Sequence, residues 1–359
     1  MIKRMNKRNL ISTLIAIALL LVSCIFVQGG SSLLWTKILS KILIFSIAAL
    51  ALNVVCGCLG EFALGHGGFL LIGYTVAVLV ASFTKEMIGS GVYRELVYTP
   101  SKGLLPLGYL LLTSDVLVAA VATGVIGFVV GIIALGRLKG DYLAIVTLGV
   151  SLIFVNITKN IPALGGAQGI DVNIELGGSP LIYGIMLVVC IFLILTFMKS
   201  RFGRATLACR DDNIAAEACG VPVNKTKVIT FTFSALIAGL AGALYAHFNA
   251  FKPIEFGQDL SIELLIIVVL GGLGSLTGTV ISSCIIVIYN LWFCTRSWVP
   301  PFFKSNPKII YGIILVAIML FRSSGILGTA EFTWEWFYSQ LKKLKNKIFK
   351  HKTPKEVEN

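Results

Sequence analysis

Charge is scarce in this chain. Of its 359 residues only 13% are Asp, Glu, Lys or Arg, about half the share found in soluble domains. The phosphate-loop spacing GxxxxGK[ST] is absent, so nucleotide hydrolysis would have to reside on another chain. Histidine is almost missing as well. His66, His247 and His351 lie far apart, nothing like HExxH occurs, and a membrane-embedded enzyme would need a cluster of His, Asp or Glu at facing positions. The eight cysteines (Cys24, Cys56, Cys58, Cys190, Cys209, Cys219, Cys284 and Cys294) follow no secreted-domain pattern. Cys56 and Cys58 fall on different faces of a helix with no partner at finger spacing, so they read as buried small hydrophobes rather than a metal pair. No catalytic group and no metal site is assigned.

What the chain does have is apolar length. Apolar residues make up 57%, gathered into blocks near the ~20 residues that cross a ~30 Å hydrocarbon core as a helix. The blocks run Leu10–Val27, Ile42–Leu59, Gly68–Phe83, Val116–Leu135, Tyr142–Ile161, Leu181–Met198, Val228–Phe248, Ile262–Leu270, Val280–Phe293 and Ile309–Phe321. The expected fold is therefore all-α, a polytopic transmembrane bundle of about ten spans, some of them broken. Leu10–Val27 reads as a retained anchor rather than a cleaved signal peptide. The short apolar stretch Leu104–Leu112 is expected to lie at the interface or pack as a re-entrant piece. Gly271, Gly272, Gly274 and Gly278 interrupt the stretch from Ile262 to Phe293, giving two short helices or one broken one. Non-helical backbone at membrane depth survives only beside protein or a watery cavity, which places these glycines near the functional interior.

A net charge of +13 suggests nucleic acid until the positions of the basic residues are considered. They cluster at Lys3, Arg4, Lys7 and Arg8, from Lys199 to Lys227, and from Lys342 to Lys355, at the ends of apolar blocks, as the positive-inside bias requires. The expected partner is membrane lipid, and nucleic acid is not expected. Ten crossings with both termini inside put Gly136–Asp141 and Lys199–Lys227 in the cytoplasm, and leave Leu164–Pro180 outside, a loop without Lys or Arg. The chain then divides into a basic cytoplasmic N-terminus (1–9), a membrane domain (10–328) and a tail (329–359). In that tail Trp334, Trp336 and Tyr338 precede lysines up to Lys350, the pattern of an interfacial amphipathic helix; the last ten residues fit a disordered basic tail better.

The loop from Lys199 to Lys227 carries the most information. Asp211, Asp212 or Asn213 can cap a helix bearing Ala215, Ala216 and Glu217, and Gly220 suits a left-handed helix end. Such a helix would dock closely across the cytoplasmic face, with Arg204 and Arg210 free to pair with acidic groups of a partner. The competing reading is an ordinary loop with a positive-inside charge bias. Within the spans, Asn53 is costly to leave unpaired and should face another helix or the pathway. His66 is placed near a membrane boundary, either lining a route or bonding a carbonyl at a tight turn. A carboxylate such as Glu263 costs ~3 kcal/mol at the bilayer centre; stabilisation of a helix N-terminus beside Ser261 competes with that reading. Lys139 and Asp141 read as a topology and capping pair.

The order Ala215, Ala216, Glu217, Ala218, Gly220 is similar to the coupling segment of ATP-binding cassette (ABC) importer permeases. Leu52, Asn53, Val54, Val55, Cys56, Gly57 with Leu64, Gly65, His66, Gly67, Gly68, Phe69, Gly73 and Tyr74 resembles the second-to-third helix signature of branched-chain amino acid permeases of the LivM type. Arg137–Tyr142, Thr147–Gly149, Gly165, Gly166, Gln168–Ile170, Leu270–Ser275, Leu320–Arg322, Gly325 and Gly328 extend the resemblance over about residues 40 to 328. Cys56, Cys58 and Glu61 are unusual companions of the first signature, and Ser323 and Ser324 stand where a proline is expected.

The resemblance implies an ABC permease-like fold forming half of a pathway for leucine, isoleucine and valine in a bacterial inner membrane. It further implies a second homologous permease, two ATP-binding subunits that carry the ATP, and an extracytoplasmic solute-binding protein; no cofactor is expected on this chain. Gly165, Gly166 and Gly169 would then suit docking of the binding protein, or simply a tight turn. Urea and short-amide importers use similar permeases and remain the alternative, followed by an ion-coupled carrier, for which Glu263 is the clear intramembrane candidate. The expected coupling residues are Arg204, Arg210, Asn213, Ala215, Ala216, Glu217 and Gly220. Those expected at the pathway or in helix packing are Asn53, His66, Thr147, Gln168, Glu263, Gly271 and Gly272.

Overall fold

A computed structural model describes residues 33–88, 105–136, 141–161, 164–166, 180–248 and 253–293, with positions 312, 313, 316, 320 and 325 beyond them. Among these residues every regular element is helical. They are α1 (Leu33–Asn53), α2 (His66–Ile88), α3 (Leu105–Leu135), α4 (Asp141–Lys159), α5 (Pro180–Lys199), α6 (Arg201–Asp211), α7 (Asn213–Ala218), α8 (Val223–Ala246), α9 (Gln258–Gly271) and α10 (Leu276–Ile288). π-Helical turns extend α1 (Val54–Leu59) and α10 (Tyr289–Phe293), and a 3-10 turn, Pro253–Phe256, precedes α9. Six helices, α1 to α5 and α8, are long and apolar enough to cross a membrane. With α9 and α10 they account for eight of the ten expected blocks. Leu10–Val27, most of Ile309–Phe321, Arg137–Gly140, Gln168 and the two terminal segments lie outside the described residues.

Burial ranks the helices from centre to rim. The most apolar 18 residues of the span Leu34–Leu59 are all buried, against 28% of the corresponding stretch in α4. Lipid tails are as apolar as leucine, so helices in a membrane gain from close backbone approach rather than from hiding apolar surface. Glycine on α8 supplies that approach. A Cβ at Gly242 would lie 2.0 Å from the Leu70 carbonyl oxygen, and one at Gly73 would lie 2.1 Å from the Gly239 oxygen. Gly242→Ala should therefore push α2 and α8 apart at a cost of about 2 kcal/mol, read as a lower unfolding midpoint in detergent. Gly149→Ala, with open space around it, should leave the midpoint unchanged.

Two expectations change, and in a third one of two alternatives is selected. Residues 105–112 are not a separate interfacial or re-entrant piece, because α3 runs unbroken for 31 residues, about 46 Å at the α-helical rise. Pro106 sits in its first turn, where the missing N–H costs nothing. Second, His66 lies inside the bundle rather than near a boundary. Its Nε2 is 2.7 Å from Ser234 Oγ, and Ser234 is eleven residues into α8, about 16 Å above Val223. The chain leaves α1 at Gly60, climbs back without helix, and enters α2 at that depth. Leu64 N–H donates to Thr147 Oγ1 at 3.1 Å, so part of the climbing backbone is satisfied by α4, as a dry interior requires. Third, the glycine-interrupted block is two short antiparallel helices. Gly271 of α9 meets Gly278 of α10 so closely that a Cβ would fall 2.6 Å from the Gly278 carbonyl carbon.

Candidate coupling site at the helix break

Asn53 organises the break between α9 and α10. Its Nδ2 donates to the Ser275 carbonyl and to Thr279 Oγ1, both at 3.0 Å, and its Oδ1 accepts from Gly274 N–H at 2.8 Å. It is fully buried, so three of its four hydrogen-bonding valences are spent fastening α1 to the turn at Gly272–Ser275. That is interhelical packing and not an exposed pathway group. Gly57 sits one turn below, with no room for a side chain: a Cβ would stand 2.1 Å from Asn53 Oδ1 and 2.3 Å from Gly274 N. Gly272 and Gly274 have φ of 108° and 89°, values at which L side chains are strained. Ser275 caps α10, its hydroxyl accepting from Gly278 N–H at 3.1 Å.

His66 and Thr147 lie one tier higher. Ser234 Oγ donates to the Ala51 carbonyl at 2.6 Å, so its lone pair receives His66 Nε2–H and the ring proton belongs on Nε2. Thr147 Oγ1 donates to Ala144 O while accepting from Leu64. Both are buried; the Thr147 hydroxyl is satisfied, whereas His66 Nδ1 has no hydrogen-bond partner among the described residues. Glu263 stands at the open end of the α9–α10 hairpin, where its carboxylate accepts from Asn290 Nδ2 at 2.9 Å. It is the sixth residue of α9, beyond the first turn, and the acidic residue of that turn is Asp259.

Beneath the break lies a two-helix platform, α6 and α7, in place of the single short helix expected. Ser200 caps α6 and Asp212 caps α7, Asp212 Oδ1 accepting from Ile214 N–H at 2.8 Å and Ala215 N–H at 3.2 Å. Gly220, at φ 83°, closes α7 with paired bonds, Val221 N–H to Ala216 O and Gly220 N–H to Glu217 O, the left-handed ending expected of it. Thr206 bonds Thr230 at 2.7 Å and so fixes α6 under α8. Ala216 is buried, while Asn213, Ile214, Ala215 and Glu217 are exposed, Ile214 by 81%. Arg204 is exposed and donates to the Lys199 carbonyl at 3.1 Å. Arg210 turns inward instead, its stem against Gly60 and its guanidinium against Gly274. Burial pushes the Cys209 thiol up, against the pull of the Lys227 charge.

An ion pair and a buried carboxyl group escaped the sequence analysis. Lys227 Nζ forms a buried ion pair with the Glu61 carboxylate, joining the foot of α8 to the turn below α1. The signal was available: Glu61 was an unusual companion of the LivM-type signature, and Lys227 closed a basic run read only as a topology mark. Asp115 in α3 is buried, and no ion pair reaches it among the described residues. It lies one residue outside the apolar block drawn from Val116.

Residues 34–320 match the family described as the permease component of branched-chain amino acid transport systems. The chain belongs to that family. It is 30% identical over 321 residues to the high-affinity branched-chain amino acid transport system permease proteins LivM of Salmonella typhimurium and of Escherichia coli, covering 79% of this chain and 68% of each relative. It is 24% identical to a probable LivM permease of Methanocaldococcus jannaschii, covering 79% of this chain and 90% of the relative. LivH of Escherichia coli is 22% identical, covering 80% of this chain and 92% of the relative. No solved structure matches. The chain is thus a multi-pass membrane permease component.

Proposed function

We propose that this permease component forms half of the route by which an ABC importer carries leucine, isoleucine and valine across a bacterial inner membrane, with both termini in the cytoplasm. A second homologous permease completes the route, two partner subunits bind and hydrolyse ATP, and an extracytoplasmic protein delivers the amino acid. The chain itself needs no bound cofactor. The observation that carries this reading is the α6–α7 platform. One face is fastened beneath α8 by Thr206 and Ala216; the other presents Ile214, Ala215 and Glu217 to solvent on a helix capped at both ends. An ordinary connecting loop would not hold an isoleucine at 81% exposure on so well-fixed a mount, and a single apolar knob beside a carboxylate suits a socket on an ATPase.

Purification through a tag on this chain should bring down an ATPase and a second permease. Glu217→Arg should abolish uptake while the protein remains inserted; normal transport by this variant would refute the platform assignment. The exposed thiol of Cys219 gives an independent check. A membrane-impermeant maleimide should label it only from the cytoplasmic side, and the assembled ATPases should protect it. Uptake of labelled leucine against labelled urea in a deletion strain separates the two substrate classes, and an isolated chain active in liposomes under an ion gradient alone would overturn the ABC reading.

A further inference from the structure

Of the charged side chains on α6 and α7, Arg210 alone is not exposed. Its aliphatic stem lies under Gly60, where a Cβ would stand 3.1 Å from Arg210 Cγ, and its Nη1 would be 3.4 Å from a Cβ on Gly274. Gly274 is thereby held between the guanidinium below and Gly57 above, whose carbonyl oxygen would also lie 3.4 Å from that Cβ. Gly60 and Gly274 both have positive φ, and both follow the C-terminal end of a helical segment: the π turn ending at Leu59, and α9 ending at Gly271. Helix C-termini carry partial negative charge and unspent carbonyls. A guanidinium, with five donors and a fixed charge, has come to the meeting point of two of them. No carboxylate competes for it, since among the described residues the ion pair is Lys227 with Glu61.

We propose that Arg210 is the positioning residue that carries a displacement of the platform to the Gly271–Ser275 break. This rests on the reading that an ATPase pushes on α7. A push on α7 reaches α6 across Asp212. From α6 it has two exits. One is the Thr206–Thr230 bond, which moves α8, to which Glu61 and the Gly60 turn are tied through Lys227. The other is Arg210, which bears on Gly274 and therefore on the turn that Asn53 clamps to α1. The second exit addresses the α9–α10 hairpin directly, whereas the first reaches it only through the foot of α1. Attraction between the guanidinium and the end of α9 lets α6 pull on the break as well as press against it.

The test uses the complete transporter, purified with its ATPases and reconstituted with its binding protein, and reads amino acid delivered per ATP hydrolysed. Arg210→Met keeps the stem on Gly60 and removes the charge, and delivery per ATP should fall at least tenfold. Arg210→Lys restores a cation at a slightly shorter reach and should recover at least half of the wild-type ratio. If Arg210→Met lowers uptake and hydrolysis together, in proportion to the amount of assembled complex, the side chain only packs and the proposal is overturned. A wild-type ratio in Arg210→Met overturns it equally. Absence of any ATPase from the wild-type preparation would instead refute the importer reading, and the strut with it.

Discussion

Lys227→Met should destabilise the folded permease by about 3–5 kcal/mol, because it leaves the Glu61 carboxylate in a dry site without its cation. The two side chains are only 8% and 12% exposed, so water cannot take over the role of Lys227. The unfolding midpoint in detergent should drop by ~10 °C or more. The double variant Glu61→Gln/Lys227→Met removes both charges and should recover most of that loss, since a buried pair replaced by neutral groups is often no worse than the original. If Lys227→Met alone left the midpoint in place, the pair would have to be hydrated, and its role in holding α8 to the Gly60 turn would fall.

The second large effect is expected at Asn53. Asn53→Leu deletes three hydrogen bonds, but their losses are unequal. Ser275 O keeps a bond from Thr279 Oγ1 at 2.8 Å, so neither of those groups is stranded. Gly274 N–H loses the acceptor that Asn53 supplied. A partly buried N–H left without its acceptor costs ~1–3 kcal/mol, and a branched side chain against Gly57 adds an overpacking cost of similar size. A total of about 4 kcal/mol follows, with a correspondingly poor yield of monodisperse protein. Thr279→Val should cost ~1 kcal/mol, because Ser275 O still receives Asn53. Equal losses in the two variants would mean that Gly274 is not the group that matters.

These two sites differ in how far the sequence disclosed them. Asn53 stood out as a lone amide in an apolar run, and the glycines from Gly271 to Gly278 announced a break, because both depart from local pattern. What joined them did not show: the partners are 221 to 226 residues apart. The same distance problem hid the Lys227–Glu61 pair, 166 residues apart, behind a charge bias that explained Lys227 well enough by itself. Arg210 was counted correctly as part of the loop and given the wrong direction, since helical spacing alone does not say which face meets the bundle. Residues 105–112 were set apart from α3 because the polar Thr113, Ser114 and Asp115 interrupt the apolar run, whereas a helix ends when its capping or backbone chemistry fails. The bundle itself, with its platform and its broken pair, was legible from apolar length and glycine punctuation.

The hairpin of α9 and α10 bears on how the chain is made. The fourteen residues of α9 are too few to cross a bilayer alone, and the thirteen of α10 approach crossing length only with their π-helical extension. Insertion of the two as one unit is the expected course, since the Asn53 amide of α1 holds the turn between them. A hairpin that goes in and returns to the side it came from adds no net crossing, just as two full crossings would add none. The sidedness of everything after it is thus indifferent to whether the pair spans the bilayer or dips into it.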